Sequence, residues 1–215
     1  LTETSVELAQ EKGACKLSSQ TFYGQGVIPW ERRNPGVNEL TDFSPSLDWE
    51  VLREKLLKYG IRNATLMAIA PVDSSSVVLN STNGIEMPMQ LISVKESKAG
   101  SLVQVVPEYA KLKNKYQLMW EQSDCDGYLQ TAAVVAAYID QSISTNTFYN
   151  PAHFPDRKVP TTLIAKNLMQ AQLWGIKTFY YSLINKNGAK VQDEQVAPLE
   201  VIDFDDAEDC EACKL

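Results

Sequence analysis

Histidine is nearly missing from this sequence. His153 stands alone among 215 residues, beside four cysteines, Cys15, Cys125, Cys210 and Cys213. Zinc sites are ordinarily built from two close ligand pairs, and the chain offers one, Cys210-x-x-Cys213, so no metal site is expected. The cysteines are also too sparse for a small secreted disulfide scaffold. Basic charge is short too, with 20 Lys and Arg against 27 Asp and Glu. A nucleic-acid binder needs a basic face to displace counterions from phosphates, and that class is set aside. No apolar run reaches the roughly 18 residues that a membrane helix requires. There is no charged-then-apolar leader either, so a cytoplasmic chain is expected.

What remains is ordinary globular material, 44% hydrophobic and 22% charged, enough for the core of one large domain. The acid is placed unevenly. Asp203, Asp205, Asp206, Glu208, Asp209 and Glu211 face only Lys214, so the last thirteen residues carry −5 of the net −7 and the body is nearly neutral. The sequence opens on Leu1, not methionine, inside a helix-like stretch. A cut piece, a processed product or a split subunit is expected.

Residues 2 to 12 read as a helix with Thr2 as its cap. From Gly13 to Pro45 the chain is irregular, and so long a stretch wraps or binds something in a compact domain. Trp49, Leu52, Leu56 and Tyr59 fall at helical spacing over Asp48 to Tyr59, with Gly60 where a C-cap belongs. Thr65 to Ala70 reads as a buried strand. Leu91 to Val94 and Ser101 to Val106 read as two more, about a turn at Lys98-Ala99-Gly100. Pro107 opens a helix carrying Tyr109, Leu112, Tyr116 and Met119 on one face. Further helices are predicted over Asp126 to Ser142 and Thr161 to Trp174, then a strand over Ile176 to Leu183. Beyond Asn185 a flexible tail is expected. The class is α/β, with a body over 1–184 and a tail over 185–215. Its strands are too few to close a sheet alone, and bare strand edges call for a partner.

Three places could carry chemistry. Val72, Asp73, Ser74 and Ser75 follow the strand at 65 to 70, where α/β proteins place ligand loops. Serine hydroxyls and backbone N–H groups suit phosphate oxygens, while on the motif alone a plain serine-rich turn with Asp73 as a helix cap is the commoner arrangement. Lys177-Thr178-Phe179-Tyr180-Tyr181 is ordinary strand material. It also offers two phenols for one-electron transfer, and alternation along a strand predicts one ring on each face. Cys210 and Cys213 can close a small disulfide ring, and a tether would let them visit a buried disulfide and then an external reductant. Their acidic neighbours disfavour thiolate, which fits a shuttle better than a resident nucleophile. An inert exposed pair is the plainer reading.

Taken in order, these segments resemble the C-terminal part of class I (Ia-like) ribonucleoside-diphosphate reductase large subunits. The likeness runs through Glu11-Lys12-Gly13-Ala14-Cys15, Gly60-Ile61-Arg62-Asn63 and Asn83-Gly84-Ile85-Glu86. It continues in Gln104-Val105-Val106-Pro107, Asp126-Gly127-Tyr128-Leu129-Gln130 and Asp140-Gln141-Ser142-Ile143-Ser144. Lys158-Val159-Pro160, Lys177 to Tyr181 and Ala212-Cys213-Lys214 complete it, so nearly the whole chain is covered.

The resemblance implies part of a ten-stranded α/β barrel, incomplete alone, that reduces the ribose 2′-hydroxyl of ribonucleoside diphosphates. It implies that Val72, Asp73, Ser74 and Ser75 hold the substrate phosphate. Tyr180 and Tyr181 would relay a radical, Tyr181 nearer the small subunit. Cys210 and Cys213 would re-reduce the active-site disulfide and be recharged by thioredoxin or glutaredoxin. The helix Thr161 to Trp174 would help hold the tail of the small subunit. No cofactor is expected in this chain, and a dimetal-tyrosyl radical is expected in the small subunit. Val72 stands where such subunits usually carry serine or threonine, and Met87 interrupts their Glu-Pro. The thiyl-forming cysteine and the allosteric sites belong upstream, so the chain is expected to be inactive without that N-terminal portion. Two other readings remain: a piece that docks the small subunit without supporting turnover, and a free-standing dithiol oxidoreductase.

Overall fold

The structure is a computed structural model that describes residues 1–41, 45–97 and 100–189. Lys98 and Ala99 of the expected turn, and the tail with Cys210 and Cys213, lie outside those residues.

Helix α1 (Thr2–Lys12) and helix α2 (Trp49–Tyr59) pack together near the start of the chain. Asp48 accepts the Val51 N–H at 3.2 Å, satisfying a donor that the first turn of α2 leaves open. Gly60, at φ 68°, ends the helix in the region that glycine enters without a Cβ penalty. Val6, Tyr23, Leu56 and Ile61 form the buried cluster between them. The irregular stretch winds over this pair through short 3₁₀ turns at Ser18–Gln20, Pro29–Glu31 and Pro35–Glu39. Ser18 Oγ accepts the Ile61 N–H at 3.0 Å, and Arg53 reaches the Gly26 carbonyl at 2.8 Å, so the loop is tied down rather than loose.

After helix α3 (Asp73–Val78) come strands β1 (Ile92–Ser97) and β2 (Gly100–Val105), an antiparallel hairpin in register from Ile92↔Val105 to Ser97↔Gly100. Helix α4 spans only Tyr109–Leu112. The predicted longer face through Tyr116 and Met119 is broken, because the Tyr116 hydroxyl donates to the Pro107 carbonyl at 2.7 Å and Met119 sits in a separate 3₁₀ turn.

Helix α5 (Asp126–Ala136), strand β3 (Thr145–Tyr149), helix α6 (Thr161–Leu173) and strand β4 (Phe179–Ile184) make the centre; helix α7 (Lys186–Ala189) follows. β3 and β4 pair in parallel across the α6 crossover. Leu129, Ala132, Phe148, Tyr149, Ala171 and Ile176 are the heart of the core. β3 is buried along its whole length, whereas most of β4 is exposed. Parallel strands are normally covered on both faces, so β4 presents a surface built for something to cover it.

The sequence misplaces four things here. β3 is absent from the sequence reading, since Thr145, Asn146 and Thr147 break the apolar run that marks a buried strand. α5 stops at Ala136 rather than Ser142, because Lys177 Nζ takes the carbonyls of Ile139, Asp140 and Gln141 at 3.0, 2.9 and 2.6 Å. The segment Thr65 to Ala70 is not a buried strand. It makes one parallel bridge, Ile69↔Ile143, and Thr65, Ala68 and Ala70 are exposed. The Asp140 carboxylate stands in for a neighbouring strand there, accepting the N–H groups of Leu66 at 2.6 Å and Met67 at 2.8 Å. β4 also begins at Phe179 rather than Ile176.

Candidate active-site surface

The exposed tyrosines of β4 form the first half of the site. Thr145 pairs with Phe179 and Thr147 pairs with Ser182, so two residues, Tyr180 and Tyr181, stand opposite the single Asn146. Such a bulge re-aims side chains. The expected arrangement of one ring per face is therefore corrected: the two rings lie side by side, 4.0 Å between centroids and 46° between planes. The neighbouring Tyr181 hydroxyl raises the Tyr180 pKa, and desolvation and the Asp73 carboxylate add to the rise. That influence puts the serine-rich turn within electrostatic reach of the tyrosine pair.

The turn is the second half. Asp73 has φ 30°, an uncommon conformation for a residue with a Cβ, and begins α3 rather than capping it. The Val72 N–H is given to the Asn83 carbonyl at 2.9 Å and the Ser75 N–H to the Val72 carbonyl at 2.8 Å. Among the described residues the N–H groups of Asp73 and Ser74 have no acceptor, and Asp73, Ser74 and Ser75 are exposed. Ser76 is the buried anchor, with its Oγ 2.8 Å from Asn83 Oδ1. Gln104, reaching from β2, donates to the Ser76 and Ser81 carbonyls at 3.1 and 2.8 Å. Two donors facing outward beside two serine hydroxyls suit an anion, and the anchors behind them are the Asn83 and Gln104 motifs.

The sequence reading missed the polar group beneath the bulge. Asn146 is buried, accepts the Tyr181 N–H through Oδ1 at 3.1 Å and donates through Nδ2 to Glu86 Oε1 at 3.3 Å. Burial pushes the Glu86 carboxyl above its ordinary pKa, and its Oε2 is buried with no partner among the described residues. The Tyr128 hydroxyl is buried nearby and pushed up to about 12, first by burial and then by the Glu86 charge. Glu86 does end one of the motifs quoted above, but nothing in the sequence pairs it with a strand 60 residues away. Beside it opens a cleft of about 480 Å³ between residues 80–90 and the hairpin, with Met87 in its wall.

Among the described residues Cys15 and Cys125 are free thiols. Cys125 is buried against Tyr149, and burial raises its thiol pKa. No group of three or more potential metal ligands occurs among the described residues. No helix among them is long and apolar enough to cross a membrane.

Residues 1–182 match the family model described as the ribonucleotide reductase barrel domain. The ribonucleoside-diphosphate reductase subunit alpha of Buchnera aphidicola (subspecies Baizongia pistaciae) is 44% identical over the whole chain. Subunit alpha of the Escherichia coli reductase 1 is 40% identical, and that of enterobacteria phage T4 is 38% identical, again over the whole chain. In each case the chain spans 28% of the relative's length. A mixed α/β unit of this kind, matched from end to end of its described core, belongs to the ribonucleotide reductase family and corresponds to part of its barrel domain.

Proposed function

We propose that this chain supplies the C-terminal part of a ten-stranded reductase barrel and works only when joined to the upstream large-subunit portion and a radical-bearing small subunit. The observation that carries the reading is the contact between the Tyr180 and Tyr181 rings, beside a turn with outward N–H groups and serine hydroxyls.

In this reading Val72, Asp73, Ser74 and Ser75 receive the phosphates of a ribonucleoside diphosphate. Val72 contributes shape rather than its N–H, which Asn83 already holds. The dimetal-tyrosyl radical of the small subunit would supply an oxidising equivalent, which Tyr181 and then Tyr180 would carry, each phenol losing an electron and a proton together. Tyr180 hands it to a cysteine of the upstream portion, and the equivalent returns after turnover. Reduction replaces the ribose C2′–OH bond by C2′–H, releases water and oxidises two thiols to a disulfide. Cys210 and Cys213 of the 185–215 tail reduce that disulfide by exchange and are themselves reduced by thioredoxin or glutaredoxin. These are cytoplasmic partners.

Exposed phenols on a half-covered parallel strand support the assembly, since β4 lacks the cover such strands ordinarily have. Leu168, Met169 and Leu173 on α6 are also exposed and suit an apolar segment of the small subunit. That surface also fits the alternative, a docking piece without turnover. Tyr181→Phe separates the two in the assembled enzyme. Turnover is lost with association intact if the relay operates, and undiminished turnover rejects the relay.

A further inference from the structure

We propose that Asn146, held by Glu86, is the positioning residue that keeps Tyr180 and Tyr181 in ring contact. This deepens the relay reading and rests on it.

Two consecutive residues of a regular strand point to opposite faces, so a 4.0 Å ring contact between them requires a local break in the ladder. The break lies opposite Asn146, between the Thr145↔Phe179 and Thr147↔Ser182 pairs. At a bulge the extra residue leaves the ladder, and its N–H needs another acceptor. Asn146 Oδ1 is that acceptor for Tyr181. An amide can face two ways, and facing the other way it would aim NH₂ at the Tyr181 N–H. Glu86 fixes the choice, because a carboxylate accepts only the Nδ2 end. The carboxylate is itself confined: a Cβ at Gly84 would collide with its Oε2, so glycine leaves it room, and the buried Tyr128 hydroxyl lies close enough to feel its charge. Glu86, Asn146 and the Tyr181 backbone thus form one line of hydrogen bonds from the core to the exposed phenols.

This line touches neither the serine-rich turn nor the exposed apolar face of α6. Breaking it should therefore slow radical passage while leaving substrate and subunit binding alone. In the enzyme assembled from this chain, the upstream portion and the small subunit, Asn146→Ala lowers kcat by about tenfold or more, with KM for the diphosphate and affinity for the small subunit unchanged. The exchange of Asn146→Asp together with Glu86→Gln rebuilds the same line with donor and acceptor reversed between residues 146 and 86. It restores kcat, a rescue that Asn146→Asp alone does not give. A wild-type kcat in Asn146→Ala overturns the proposal, as does an exchange variant that folds and associates but stays as slow as Asn146→Ala. Tyr181→Phe in the same assay separates the levels. If it abolishes turnover while Asn146→Ala is fully active, the positioning role fails and the relay stands; if Tyr181→Phe turns over normally, both fail.

Discussion

Tyr180 and Tyr181 are consecutive on an exposed strand, yet their rings lie 4.0 Å apart on the same side of it. The bulge opposite Asn146 is what makes this possible, and it brings together two phenols that alternation would separate, the contact that the proposed relay requires. The contact also shapes their chemistry. Tyr181 beside it raises the Tyr180 pKa, so Tyr180 stays a neutral phenol to higher pH than a lone tyrosine would.

Tyr181→Phe therefore has an effect measurable in the isolated chain. It removes the hydroxyl that raises the Tyr180 pKa, and the alkaline titration of Tyr180, followed by NMR of the labelled ring, moves to lower pH. An unmoved titration would show that the hydroxyls do not interact.

Glu86 should impose a pH dependence on stability. Its folded pKa lies above the ordinary 4.5, so between those two values the folded state holds more of the proton than the unfolded state does. Stability then falls as pH rises through the window and levels off above it. Glu86→Gln removes the buried charge and is expected to unfold at higher temperature than the parent at neutral pH, the two converging below the unfolded value. Thermal melts across acidic to neutral pH test this, and a variant less stable at neutral pH would show that the charge is compensated.

Asp140 and Lys177 pin the entry to the parallel strands from opposite sides. Asp140 accepts two backbone N–H groups and Lys177 donates to three carbonyls, and burial lowers the Lys177 pKa. Asp140→Ala or Lys177→Met orphans those groups and is expected to cost about 2–3 kcal/mol in denaturant unfolding. A loss near zero would mean that water replaces the bonds freely.

The helices α2 and α6 and the hairpin were legible because their signals are local: Asp48 and Gly60 bracket one, Gly175 follows another, and alternating apolar residues frame the third. β3 was not legible, since its polar residues are satisfied by groups remote in sequence. Thr147 Oγ1 donates to Ser182 Oγ at 3.0 Å, and Asn146 bridges Glu86 and Tyr181. The same remoteness hid the site's geometry. Aromatic residues at 180 and 181 can be read from the chain, but their contact depends on a register between strands 35 residues apart. The serine-rich turn was visible, whereas Asn83 taking the Val72 N–H was not.

The central claim is that this chain is a working part of a reductase rather than a docking piece. It is tested most directly by mixing the chain with the upstream large-subunit portion and the small subunit, then measuring deoxynucleotide formation with a thioredoxin system. Product that appears only when this chain is present is the predicted result. Stable association of all three components without product would contradict it.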